Sequence, residues 1–155
     1  MSISKQIRRE VFETNSSSSH SLTIDTTIEI MQKLIPNNEG NIVVDENLGY
    51  CQFGWEFESY HDVGSKIIYA YLQAESVNNR KWIQLLTDVV KEHSGAKEVI
   101  WKIVDDYDSK HCGYIDHQSC GSEDDSCQKM FKNKKTLKQF LFNKSSYVRT
   151  GNDNG

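Results

Sequence analysis

The sequence lacks an apolar run of the roughly 20 residues that a helix needs to cross a bilayer. Its first residues, MSISKQIRRE, also lack the apolar segment of a secretion signal. Positive charge is not in excess, because the formal net charge is -4 and the isoelectric point is near 5.7. General coating of nucleic acids is therefore disfavoured, and we expect a cytoplasmic protein that does not associate with a membrane.

Internal repeats and dividing linkers are also missing, and 155 residues are few for two independent cores. We predict one compact domain over residues 1–155, with 151–155 as a polar, flexible tail. A hydrophobic content of 37% with 10% aromatic residues is too high for a disordered chain. The mean hydropathy of -0.64 indicates a thin core under a polar surface.

Alternating apolar residues predict strands, and apolar residues at helical spacing predict helices. The predicted strands cover residues 7–13, 21–25, 41–45, 50–58, 97–105, 113–116 and 145–150. The predicted helices cover Thr27–Ile35, residues 62–74, the stretch from Trp82 to a stop at Gly95, and residues 137–142. Because strands and helices follow each other without a regular repeat, we predict an α+β fold with a mainly antiparallel sheet and about four short helices.

Start and stop signals support these helices. Thr26 and Glu29 have the spacing of a capping box, and Pro36 ends that helix. Asp62 is a candidate cap for the second helix, and Thr136 for the last.

The stretch FETNSSSSHSL contains four consecutive serines followed by His20. Serine runs are common in solvated linkers. This run is short and lies between two predicted strands, so its ends are held and its hydroxyl and amide groups could hold a phosphate or carboxylate. The candidate ligand-binding residues of this region are Arg8, Asn15, Ser16, Ser17, Ser18 and Ser19.

The segment YIDHQS places a second histidine, His117, after a short apolar strand and before Ser119. This resembles half of the paired histidine-x-serine/threonine arrangement of two-histidine phosphoesterases. There, one imidazole is the base and the other the acid. The hypothesis pairs His20 with His117 as catalytic groups and gives Asp116 the role of orienting an imidazole. His20 has no hydroxyl at the required offset, and a structural histidine is the alternative for His117.

No CxxC pair occurs, and the nearest equivalent is the HxxC of His117 and Cys120. Sulfur and imidazole ligands are nevertheless dense enough between residues 111 and 127 for a tetrahedral zinc site. Its candidate ligands are Cys112, His117, Cys120 and Cys127. Ordinary thiols without metal are the alternative, and disulfides are less expected without an export signal.

Basic and amide residues near the C-terminus form a further candidate group. Lys134, Lys135 and Arg149 could complete an anion site, although a solvated helix face explains most such runs. If the tail folds back, Asn152, Asp153 and Asn154 could contact a polar ligand.

Four segments together, RREVFETNSSSSHSL, FGWEFESY, CGYIDHQS and FLFNKSSYVRTGNDN, resemble a group of small proteins encoded by tailed bacteriophages. The likeness covers nearly the whole chain. It implies an accessory protein that acts in the host bacterial cytoplasm, in host takeover or in evasion of host defences. It transfers no catalytic residue.

We therefore expect the serine run, YIDHQS and GNDN to converge at one edge of the sheet around a nucleotide or another phosphate-bearing small molecule, which the protein binds and could hydrolyse. The alternative is a sponge or inhibitor without chemistry. It would use the same pocket, or capture a host protein through Trp55, Phe57 and Tyr60. A zinc-stabilised adaptor is the third hypothesis. For the oligomeric state, the sequence is compatible with both a monomer and a symmetric homodimer.

Overall fold

The computed structural model describes residues 10–13, 18–54, 56–105, 112–115 and 125–152. In chain order the described strands are β1 (Glu10–Glu13), β2 (Ser18–Thr23), β3 (Asn41–Val44), β4 (Gln52–Phe53), β5 (Glu58–Tyr60), β6 (Glu98–Trp101), β7 (Val104–Asp105), β8 (Cys112–Ile115) and β9 (Tyr147–Asn152). The described helices are α1 (Val63–Ser76), α2 (Arg80–Ser94), α3 (Asp125–Met130) and α4 (Lys134–Phe142). The protein has the predicted α+β fold.

The largest sheet is antiparallel and has the strand order β1-β2-β9-β5. Strand β9 lies between β2 and β5, and Val148 is the register partner of both Leu22 and Tyr60. These three side chains are buried. Because side chains alternate across a strand, this row fixes which face of the sheet covers the core.

Two smaller sheets are parallel. Strand β3 pairs with β6, and β8 pairs with both β4 and β7. Ile42 and Val44 of β3 are buried and alternate with the partly exposed Asn41 and Val43. The predicted α+β architecture with a mainly antiparallel sheet is confirmed, since the largest sheet is antiparallel throughout and the parallel pairs belong to the two smaller sheets.

Helix α1 is the centre of the molecule. Every residue from Val63 to Ala74 is buried, so this helix has no solvated face. It contacts α2, α4, β7 and β8. The Asp62 carboxylate accepts the Ser65 N–H at 2.9 Å, which confirms the predicted cap.

Helix α2 has the amphipathic pattern that the sequence predicts, with Leu86, Val89 and Val90 buried. The Asn79 side chain accepts the Trp82 N–H, and Gly95 ends the helix at φ 76°. That left-handed conformation favours glycine.

The predicted helix over Thr27–Ile35 is wrong. The Asp25 carboxylate accepts the backbone N–H groups of Thr27 and Ile28, which forms a local turn in place of a helical start. Residues farther along bond to another segment: Met31 bridges to Asn143, and the Gln32 N–H donates to the Phe142 carbonyl. These bonds satisfy the backbone groups that a helix would have paired internally.

Four further boundaries differ from the prediction. The strand predicted over residues 50–58 is interrupted after Phe53, and the one over 97–105 is interrupted after Trp101. The cap of α4 is Asn133, whose side chain accepts the Thr136 N–H, so Thr136 is not the cap. The predicted tail also begins too early, because β9 continues to Asn152.

A buried lysine joins α1 to the end of α4. The Lys66 side chain is fully buried, and its Nζ donates to the carbonyls of Asn143 and Ser146, each at 2.9 Å. Burial lowers the pKa of Lys66 to about 7, although the Asp62 charge acts in the opposite direction.

We expect this lysine to make stability depend on pH. Because its pKa is lower in the folded chain than the ordinary value of 10.5, the unfolded chain binds the additional proton between about pH 7 and pH 10.5. Lys66 should therefore increase the free energy of unfolding as pH rises, by at most about 1.4 kcal/mol per pH unit. Urea denaturation at pH 7.5 and pH 9 measures this.

The matched variant is Lys66→Met, which keeps the length of the side chain and removes its charge. It should be less stable overall, since two buried carbonyls lose their donor at about 1–3 kcal/mol each. Its free energy of unfolding should lack the rise assigned to Lys66. An equal rise in both proteins would contradict the assignment.

Candidate functional site at the end of the antiparallel sheet

The second half of the serine run is part of the sheet. Ser18 and Ser19 begin β2, where they are the register partners of Asn152 and Gly151 on β9. A paired strand has fixed backbone positions, so the linker interpretation is wrong for these two serines. The other two, Ser16 and Ser17, lie outside the described residues.

His20 is a buried, hydrogen-bonded group of this sheet. Its side chain is 1% exposed. Nε2 lies 3.1 Å from the Gly54 carbonyl oxygen, and Nδ1 lies 3.2 Å from the Tyr69 hydroxyl. A carbonyl can only accept, so Nε2 carries the proton and Nδ1 accepts the hydrogen of Tyr69. The Tyr69 oxygen in turn accepts from Gln73 Nε2 at 2.9 Å.

His20 and its cross-strand neighbour hold the same loop. Thr150 is the register partner of His20, and its hydroxyl donates to the Glu56 carbonyl at 2.6 Å. The carbonyl of Gly54, two residues earlier, is the partner of His20. Adjacent side chains of β2 and β9 therefore fix two backbone carbonyls of the segment that joins β4 to β5.

The strand that contains the first two residues of YIDHQS approaches the same place. Strand β8 ends at Ile115, which is the register partner of Phe53, and Gly54 follows Phe53 directly. Adjacent strands are about 4.8 Å apart, so β8 ends one strand away from the loop that His20 holds. The next residues, Asp116, His117 and Ser119, lie outside the described part of the chain.

An exposed aromatic ring covers the end of β9. A Cβ atom added to Gly151 would lie 3.0 Å from the ring of Phe57, so the absence of a side chain there lets the ring lie against the backbone. Phe57 is 56% exposed. Its outer surface is thus open beside Gly151 and its register partner Ser19.

Two tyrosines stack at the end of β5. Tyr50 and Tyr60 stack with ring centroids 4.9 Å apart and an interplanar angle of 14°. Tyr60 contacts Phe53 edge to face. Burial, with the Tyr50 charge as the second cause, raises the pKa of Tyr60 to about 12. Its hydroxyl therefore stays protonated near neutral pH and can donate a hydrogen bond.

The zinc hypothesis loses one proposed ligand. Cys127 is disulfide-bonded and therefore presents no thiolate to a metal, which also corrects the expectation of ordinary thiols at this position. Cys51 is a half-buried thiol. Among the residues that the structure describes, no group of three His, Cys, Asp or Glu side chains could hold a metal ion.

Most of the predicted site residues lie beyond the described ranges. They are Arg8, Asn15, Ser16, Ser17, Asp116, His117, Ser119, Cys120, Asp153 and Asn154. The described ones are His20, Ser18, Ser19 and Asn152, which the register of β2 and β9 brings together, and Cys112 and Cys127, which lie on β8 and α3.

The sequence interpretation missed Thr150, Tyr69 and Gln73. Thr150 ends the predicted strand over residues 145–150, but no pattern in the sequence indicated that its hydroxyl holds a loop. Tyr69 and Gln73 are four residues apart on α1, a spacing that places them on one face of a helix. That spacing was visible in the sequence, but nothing in it indicated His20 as their partner.

Comparisons with known proteins identify no relative. No family model matches the chain, and no curated protein or solved structure matches it. In the described residues, no helix combines the length and the apolar character needed to span a membrane.

This geometry favours binding over acid–base chemistry at His20. A general acid or base must reach a proton of the substrate, whereas both ring nitrogens of His20 have protein partners and the side chain is buried. The end of the sheet instead supplies fixed backbone positions, a held loop and an exposed ring.

We expect Tyr69→Phe to destabilise the protein by about 1–3 kcal/mol, because it leaves buried hydrogen-bonding groups of His20 and Gln73 without a partner. The matched control is Tyr71→Phe on the same helix. The Tyr71 hydroxyl donates to Glu75 at 2.9 Å in a partly buried setting, so its loss should cost less than about 1 kcal/mol. Urea denaturation of both variants measures the difference. Equal losses would show that the hydrogen bonds around His20 stabilise the fold no more than the bond between Tyr71 and Glu75 does.

Proposed function

We propose that this protein binds a nucleotide, or another small molecule with a phosphate group, at the end of the antiparallel sheet. The observation that carries the proposal is the register pairing of Ser19 with Gly151 and of Ser18 with Asn152, the two positions that follow the pair in which His20 and Thr150 hold the β4–β5 loop. A site on paired strands is pre-organised, so little conformational entropy is lost when a ligand binds.

The chemistry of the ligand follows from the residue types at this place. Serine and asparagine donate hydrogen bonds to phosphate or to polar edges of a base. The exposed face of Phe57, beside Gly151, is a surface on which a base can stack. Polar groups next to an aromatic ring fit a nucleotide better than they fit inorganic phosphate alone.

We propose binding without chemistry as the primary activity, because the two-histidine mechanism needs an imidazole that His20 does not present. Hydrolysis by His117 with Asp116 is the second candidate, supported by the position of β8, which ends beside Phe53. The resemblance to tailed-phage proteins supports a role as an accessory protein that sequesters a host signalling nucleotide. Capture of a host protein through the exposed ring of Phe57 is the non-nucleotide form of that role, and Tyr60, which the sequence suggested for it, is buried and does not contribute to such a surface.

The experiment is mass spectrometry of small molecules that co-purify with the native protein, followed by titration with the nucleotides it identifies or, if none is found, with a nucleotide panel. We expect a bound, unaltered nucleotide. Phe57→Ser should weaken its binding by about tenfold, within the range of base–aromatic stacking, and Asn152→Ala should weaken it as well. The control is Ile35→Ser, which removes an apolar side chain that is 77% exposed on a different segment.

Two outcomes would contradict the proposal. Absence of binding to every nucleotide of the panel removes the nucleotide site. Turnover of the ligand that stops in His117→Ala, while binding persists, replaces sequestration with hydrolysis.

A further inference from the structure

Basic residues are concentrated in one part of this acidic chain. Residues 126–152 contain six lysines and one arginine but no aspartate or glutamate, whereas the whole chain has a net charge of -4. Solubility alone does not require such segregation, because it is served equally well by mixed charges. The position of the lysines in the fold therefore decides what they do.

Three of these lysines line a cleft between α2 and α4 with a volume of about 290 Å³. The lining residues are Val89, Glu92 and His93 of α2 and Lys134, Lys135 and Lys138 of α4. This volume is at the small end of the range for ligand sites, which is roughly 300–1,000 Å³. Arg149, which the sequence suggested as a partner of these lysines, does not line the cleft.

The arrangement of these lysines is unfavourable for the helix that carries them. Lys134 and Lys135 occupy the first turn of α4, where the positive end of the helix dipole disfavours cations. Lys138 follows Lys134 by four residues, and like charges at this spacing repel. A local arrangement that disfavours its own helix indicates a functional site.

Protein groups compensate only part of this charge. Lys134 Nζ lies 2.6 Å from the Glu92 carboxylate, and this hydrogen bond raises the pKa of Lys134. Neither Lys135 nor Lys138 forms an ion pair with a described residue. Two of the three ammonium groups are therefore available to an anionic ligand.

His93 is held rigidly at the same cleft. Its Nε2 donates to the Gln32 carbonyl at 2.9 Å, and its ring stacks on Phe142 with centroids 3.8 Å apart. Nδ1 has no hydrogen-bond partner among the described residues. The imidazole thus adds a fixed polar group to the flexible lysines.

We propose that this cleft binds an oligophosphate, the di- or triphosphate group of a small molecule. Lysine ammonium groups bind phosphate as point charges, and a chain of phosphates spans several lysines where a single anion contacts fewer. The cleft lies on α2 and α4 and shares no residue with the sheet-end site. Oligophosphate binding in the cleft is therefore independent of whether the sheet-end site binds a nucleotide.

The test uses tripolyphosphate titrated into the full-length protein at about 0.15 M salt, where distant surface charges are largely screened. Isothermal calorimetry gives the affinity, and amide chemical shifts in NMR spectra locate the ligand. We expect saturable binding, with shifts at α4 and at the C-terminal half of α2. The double variant Lys135→Gln/Lys138→Gln should bind at least about tenfold more weakly, because it removes two charge-assisted contacts.

The matched control is Lys129→Gln/Lys132→Gln. It removes the same charge from exposed lysines of the same segment that do not line the cleft. Its affinity should stay within about threefold of the parent protein, because these two lysines do not line the cleft. An equal loss in both variants would mean diffuse attraction and overturn the proposal. Failure to bind tripolyphosphate, or tighter binding of a single-stranded oligonucleotide in the cleft, would overturn it as well.

Discussion

The structure depends on burying the polar groups of α1. This helix is covered on all sides, so each of its polar side chains needs a partner from another element. Ser65 accepts the Tyr50 N–H, Lys66 donates to two carbonyls after α4, and Tyr69 bonds to His20 on β2. Apolar packing alone would let neighbouring elements slide along the helix. These directional bonds fix the positions of the antiparallel sheet and of α4 relative to it.

The candidate site inherits its rigidity from the same bonds. Tyr69 positions His20, and His20 holds the Gly54 carbonyl. The central helix therefore fixes the position of this carbonyl of the β4–β5 loop through His20. A second consequence concerns chemistry. A histidine that is needed to hold a loop is not available to transfer protons, so the residue that looked most reactive in the sequence has a structural role.

Helix α2 could be predicted from the sequence because its signals are local: Leu86, Val89 and Val90 repeat at helical spacing, and Gly95 ends the helix. The stretch Thr27–Ile35 has equally good local signals and is not helical, because its backbone bonds to the end of α4, which no local pattern reveals. The fold class was thus accessible from the sequence. The partners of His20 and the pairing of Ser18 with Asn152 were not, since they join distant parts of the chain.

The central position of β9 also affects how the protein is made. Strands β2 and β5 leave the ribosome well before residues 147–152, yet they contact each other only through β9. Until that strand emerges, both present unpaired edges that can recruit other strands, and the buried groups of α1 lack their carbonyl partners beyond α4. Productive folding of this domain must therefore wait until its C-terminal strand has been translated, and nascent chains that stall before it are the natural substrates of chaperones and proteases.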